Sequence, residues 1–225
     1  MQDRYAGDVG DFGKLGLLRH LCGATAQDSH PCLKPGVIWY KSIPGTRENA
    51  QNHGKFIRFL DESDENNRRF KACDGDLYEA LKHVVDTGRS IDALQRVLAG
   101  QCPDFRSGVP LLPGAVYGSK GVCHGKKKST CPRADWFQTA FEATAECDLV
   151  FLDPDNGVEC ANLRPTQGKS RKYVFRCEVG KLMERGQSVV VYHHTGFKVP
   201  AEEQVRQHLR INVASGPTVS PRHRS

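Results

Sequence analysis

Apolar residues along this chain alternate between two spacings, one helical and one extended. Phe12, Leu15 and Leu18, with Leu17 and Leu21 beside them, recur every three to four positions and predict a helix over residues 13–22. Val37-Ile-Trp-Tyr40 follows Pro35-Gly36 as an unbroken apolar run and predicts a buried strand, with Ser42-Ile-Pro-Gly-Thr46 as the loop after it. From 54 to 98 the pattern is helical, with apolar faces at Phe56, Phe59 and Leu60, at Leu77, Leu81, Val84 and Val85, and at Ile91, Leu94, Val97 and Leu98. We expect a helical insertion there.

Trp136, Phe137, Ala140 and Phe141 predict a short helix that runs into the strand Asp148-Leu-Val-Phe-Leu152. The order repeats further on: a helix carrying Val179, Leu182 and Met183 ends at Gly186 and feeds the strand Ser188-Val-Val-Val-Tyr192. Two successive helix-to-strand units predict an α/β fold, a mostly parallel sheet with helices on both faces. We expect a single domain over 1–214, a mobile basic loop over 118–133 and a flexible Ser-, Pro- and Arg-rich tail over 215–225.

Composition narrows the class. At 225 residues and 38% hydrophobic content, with a mean hydropathy of -0.53, the chain suits one full-sized core. No apolar run approaches the roughly 18 to 20 residues of a membrane span. Met1-Gln-Asp-Arg-Tyr-Ala-Gly-Asp has no secretory pattern, so we expect a cytoplasmic protein whose nine cysteines are free thiols. No Cys-x-x-Cys pair occurs, and Cys123, His124 and Cys131 lack an identifiable fourth ligand, so we do not assign zinc. The net charge of +6 makes an anionic partner such as nucleic acid plausible, and Lys126-Lys-Lys128 is either a track for a phosphate backbone or, as a run of lysines more often is, a solvated loop.

The chemistry concentrates where strands end. Asp153 follows the apolar run 149–152, at the edge where open α/β sheets bind ligands, and Asp155, Asn156 and Glu159 crowd the turn set by Pro154 and Gly157. A strand-end carboxylate or amide before a proline suits an amine substrate, whose nitrogen it orients toward an electrophilic methyl group. Asp153, Asp155 and Glu159 also suit magnesium or manganese, held by hard oxygen ligands for attack on a phosphodiester. Tyr5-Ala-Gly-Asp-Val-Gly-Asp-Phe-Gly-Lys14 places a glycine-rich turn before a helix, where Asp11 is either a cap or, with Tyr5 and Lys14, part of a site. His193 and His194 end the last strand and point to opposite sides, so one of them is expected to line a pocket, not both to share an ion. Asn52-His53-Gly54-Lys55 is read either as an approach to a cofactor or, equally well, as a solvated helix start.

Ala6-Gly-Asp-Val-Gly-Asp-Phe-Gly-Lys14 resembles the Ala-Gly-Asn-x-Ala-Asp-x-x-Lys opening of the bacterial family that methylates an adenine of large-subunit ribosomal RNA. Leu152-Asp-Pro-Asp-Asn156 is similar to that family's Asp-Pro-Pro-Tyr motif. Asp155 and Asn156 stand where the family has a proline and a base-stacking aromatic residue, and Lys41-Ser-Ile-Pro-Gly45 stands where it has an acidic residue and glycines. The resemblance implies a Rossmann-like methyltransferase using S-adenosylmethionine. Asp153, Pro154 and Asn156 would be the catalytic positions, and Asp11, Lys14, Tyr40, Ser42 and His53 would surround the cofactor. Tyr5, Asp155, His193 and His194 would meet the substrate.

Two other classes stay open at this point. One is a metal-dependent nuclease or Toprim-like phosphodiesterase built on Asp153, Asp155 and Glu159. The other is a non-catalytic nucleic-acid-binding module.

Overall fold

The computed structural model describes residues 2–23, 33–41, 56–102, 105–107, 132–160, 162–165, 167–194, 199–200, 202–204 and 206. The chain divides into two compact units, Met1–Tyr192 and His193–Ser225. The expected tail, Lys126–Lys128, and Cys123, His124 and Cys131 lie outside the described residues, as does the expected basic loop up to 131.

The first unit is built around a four-stranded sheet of β1 (Pro35–Trp39), β2 (Arg106–Ser107), β3 (Leu149–Asp153) and β6 (Ser188–Val191). Its spatial order is β2-β1-β3-β6, and every pairing in it is parallel. A second parallel pair joins β4 (Gly157–Val158) to β5 (Tyr173–Val174). Strand β2 was not expected, because two residues are too few for periodicity to register.

Side chains alternate across the sheet, so each face has its own core. Val37 and Trp39 of β1 and Leu149 and Phe151 of β3 face α1 (Val9–Leu21), α3 (Gly75–Thr87) and α4 (Ile91–Gln101). Ile38, Tyr40, Val150 and Leu152 face α5 (Pro132–Ala143) and α6 (Arg176–Glu184) on the other side. The helices expected as an insertion therefore supply one of the two helical layers. A short α2 (Asn67–Cys73) precedes α3, and Phe12, Phe59 and Phe70 stack edge-on or tilted beside it.

Helix boundaries follow local chemistry. Asp8 caps α1 by accepting from the Asp11 amide at 3.0 Å, which starts the helix four residues before the apolar pattern predicts. Asp74 caps α3 through the Leu77 amide and also receives the buried Arg19 of α1 at 2.7 Å, so one carboxylate starts a helix and ties two together. Ser90 caps α4 through the Ala93 amide. Met183, expected in the apolar face of α6, is 60% exposed, because that helix buries Leu182 instead.

On the α5/α6 side the guanidinium of Arg133 is interior, although the sequence reading placed this residue in a mobile basic loop. It donates twice to Glu178, at 2.7 and 2.8 Å, and also to the carbonyls of Ser170 and Tyr173. Glu178 further accepts from the Tyr40 hydroxyl at 2.9 Å and from the Phe175 amide at 3.0 Å. Burial, followed by the Glu178 carboxylate, holds the Tyr40 hydroxyl well above its ordinary pKa of 10.0. Arg133 lies over the Phe175 ring at 4.4 Å.

This bidentate pair is fully enclosed, so losing one partner strands a charge in the interior. Glu178→Ala is expected to lower stability by about 3–5 kcal/mol, seen as a fall in the urea midpoint at unchanged slope. Replacing both members, Arg133→Met with Glu178→Leu, is expected to cost clearly less than the single change.

Candidate active site

Strand order reverses between β1 and β3: β2 lies on one side of β1, while β3 and then β6 lie on the other. Connections leave such a point in opposite directions and open a crevice beyond the carboxyl ends of the two strands. Trp39 of β1 and Asp153 of β3 are register partners there, and the Tyr40 amide donates to the Asp153 carbonyl at 3.3 Å. By strand alternation Asp153 falls on the α1 side, the side of Phe151.

What meets it is Lys14, from the second turn of α1. The ammonium lies 3.2 and 3.3 Å from the two Asp153 oxygens and 2.7 Å from Oδ1 of Asp11. It also sits over the Tyr192 ring, 4.8 Å from the centroid. The side chains of Lys14, Asp11 and Asp153 are only 10%, 1% and 2% exposed. Asp8 lies beside Asp11 at the helix start, and the Arg89 guanidinium feels both carboxylates while donating to the Ala6 carbonyl at 2.7 Å.

The glycine-rich opening has a geometric reason. Gly7 has φ of +84°, and its amide donates to Oδ2 of Asp11 at 2.8 Å. A Cβ on Gly7 would lie 2.7 Å from Cγ2 of Val85 on α3, so only glycine lets this turn press against the helical layer while fixing the Asp11 carboxylate. Asp11 is thus no cap. Asp8 caps the helix and leaves Asp11 to face Lys14.

Burial pushes the Asp11 carboxyl from 3.8 up to about 6; Lys14 opposes this, while Asp8 and Asp153 add to it. Burial disfavours the Lys14 ammonium, but Asp153 and Asp11 outweigh that and hold its pKa above the ordinary lysine range. Burial likewise raises the Tyr192 hydroxyl above 10.0. The site therefore joins a permanently charged lysine to a carboxyl able to exchange a proton near neutral pH.

The structure brings together Asp11, Lys14 and Asp153 of the expected residues, and it separates others. Pro154 is buried and begins a turn that Gly157 closes at φ of +109°. Asp155 lies 3.8 Å from the ammonium of Lys172, and the Asn156 amide donates to the Lys172 carbonyl at 2.9 Å. Glu159 accepts from the Arg176 amide at 2.8 Å and caps the start of α6. Asp155 and Glu159 are thus each turned to a cation of their own, and among the described residues no group of three His, Cys, Asp or Glu is placed to hold a metal ion.

Tyr40, expected at the cofactor, turns its ring by alternation to the α5/α6 face, where its hydroxyl donates to Glu178, so it does not join Asp11, Lys14 and Asp153. Tyr5 is half-buried in a 3-10 turn, with the Arg4 guanidinium 5.3 Å over its ring. Ser42 and His53 lie outside the described residues, and His193 and His194 belong to the second unit. The sequence reading missed Tyr192 and Arg89. Parity along β6 could have found Tyr192, which shares the side of Val190; nothing local marks Arg89.

Because Asp11 is protonated more readily folded than unfolded, its contribution to stability is fully present below pH 3.8 and is lost as pH rises through about 6. Carboxyl-carbon NMR is expected to give Asp11 a midpoint near 6. Asp153→Asn should move that midpoint down by removing a like charge, and Lys14→Met should move it up. An unshifted midpoint in both variants would contradict the cluster.

No protein-family model, curated protein or solved structure matches this chain significantly.

Proposed function

We propose that this chain is an S-adenosylmethionine-dependent methyltransferase, or a diverged relative, that acts on nucleic acid, with a Rossmann-like sheet and Asp153 as the carboxylate that holds the target amine. The observation that carries the reading is the Lys14–Asp153 pair at the carboxyl edge of β3, where strand order reverses. The sequence resemblance points to these same two residues.

Charge favours this chemistry over phosphodiester cleavage. Asp8, Asp11 and Asp153 face the cations of Lys14 and Arg89, which leaves the crevice net negative. A negative crevice attracts a sulfonium cation and tolerates an amine that gains positive charge in transfer, whereas it repels a phosphodiester without a metal. S-adenosylmethionine, when bound, supplies the electrophilic methyl group. Asp153 accepts hydrogen bonds from the amine and aims its lone pair. Lys14 holds the Asp153 side chain in place, and Asp11, on the same ammonium, is our candidate to take up the proton that the product amine sheds. The donor set fits such a co-substrate in charge. The reading also places the protein in the cytoplasm, where its six described cysteines stay reduced.

Calorimetric titration of the wild type with S-adenosylmethionine is expected to give one-to-one binding, weakened when Lys14 is replaced by methionine. Methyl transfer to mixed RNA or DNA should fall by about 100-fold or more in Asp153→Asn. Absence of cofactor binding, with nucleic-acid cleavage that requires magnesium or manganese, would sink the reading in favour of a phosphodiesterase. Absence of both activities, with nucleic-acid binding intact, would leave a binding module.

A further inference from the structure

The segment from Cys160 to Cys177 contains Arg164, Lys169, Arg171, Lys172 and Arg176 and not one Asp or Glu. In a chain with 26 acidic residues among 225, that is a local excess of positive charge, and the structure places it against the candidate site. The Asn156 amide donates to the Lys172 carbonyl, and Gly157 and Val158 pair with Tyr173 and Val174. The basic segment therefore flanks the turn into which Asp153 leads.

Two of its cations are locally balanced, Lys172 by Asp155 and Arg176 by Glu159, each at 3.8 Å. Arg164, Lys169 and Arg171 have no ion-pair partner among the described residues, and Nε of Arg171 is buried without a hydrogen-bond acceptor. Lys169 and Arg171 lie on the 3-10 turn Gly168–Lys172, which is held firmly. Its Ser170 is fully buried, with its hydroxyl donating to the Pro165 carbonyl at 2.8 Å and its own carbonyl taken by Arg133 at 3.0 Å. The Gln167 amide donates to the Arg164 carbonyl and brings Arg164 onto the same turn.

We propose that Arg164, Lys169 and Arg171 form a docking surface for the phosphodiester backbone of the nucleic-acid substrate, set beside the Asp153 turn. The proposal rests on the reading that the substrate is a nucleic acid, and it assigns the part that holds the backbone. It also resolves a difficulty of charge, since the crevice around Asp153 repels phosphates and attraction has to come from outside it. An acidic protein fits less well. The exposed large apolar residues among those described are Val9, Leu17, Phe56, Met183 and Val199, none on this segment, so the surface lacks the apolar centre of a protein interface and has the polar, cationic make-up of a nucleic-acid one.

The test is fluorescence anisotropy of a labelled mixed-sequence single-stranded RNA, and of its DNA equivalent, across a range of salt concentrations. The full chain is compared with the triple variant Arg164→Ala, Lys169→Ala and Arg171→Ala. The variant is expected to bind at least about tenfold more weakly, with a log–log salt slope reduced by about two, as loss of three phosphate contacts on a single strand requires. Lys169→Arg with Arg171→Lys should restore binding. Unchanged affinity and slope in the triple variant would overturn the surface, and so would a wild type that binds neither RNA nor DNA. Tighter binding of a polyglutamate peptide than of RNA, lost in the same variant, would overturn the nucleic-acid partner in favour of an acidic protein. Cofactor titration of the same variant separates this proposal from the previous one: S-adenosylmethionine should bind it as it binds the wild type. A chain that binds RNA through this surface but no cofactor would defeat only the methyltransferase reading.

Discussion

The contact on which the first unit turns is the ion pair between Lys14 and Asp153, 139 residues apart in the chain. It joins the first helix to the carboxyl end of a central strand and sits where strand order reverses. An ammonium enclosed this far from water is tolerable only because two carboxylates surround it, and each of those is tolerable only because of the ammonium. The consequence runs outward from there. Asp11 must be fixed, so Gly7 must take a left-handed turn against Val85; Asp11 cannot then cap the helix, so Asp8 does.

A second enclosed pair, Arg133 with Glu178, does a different task on the opposite face. All the acceptors and donors around it belong to the chain, and its bonds run to Tyr40, Ser170, Tyr173 and Phe175, which makes it a structural anchor. By holding Ser170 and Tyr173 it fixes the segment that carries the unbalanced cations beside the Asp153 turn. The two buried pairs thus tie different elements together: one joins the first helix to the end of β3, and the other holds the basic segment against α5 and α6.

The longer helices and the three longer strands were legible because each carries enough apolar residues for a period to register, whereas α2, whose one buried residue is Asn67, has no apolar face to mark it. Strands 37–40, 148–152 and 188–192 were each placed to within about two residues, since each is an unbroken apolar run, although only β1 and β3 are buried throughout and β6, at the sheet edge, is half-buried. Asp153 was legible for a related reason, as the first polar residue after such a run. Arg133 was misread because a cation beside a Lys- and Gly-rich stretch looks like solvent-exposed loop, and its partner Glu178 lies 45 residues away. The side taken by the Tyr40 ring was not legible, because nearness to a strand end says nothing about which face of the sheet a ring takes.

By itself the sequence determined that this is an α/β chain with parallel strands, and it singled out Asp11, Lys14 and Asp153 as candidate site residues. Those conclusions need only period, polarity and position, which are local properties. The tertiary structure alone decided that the three are one cluster, that Asp155 and Glu159 turn to other cations, and that Tyr192 closes over Lys14. Those are facts of register and of facing, set by which strand lies beside which, and a one-residue change of parity would send each side chain to the other layer.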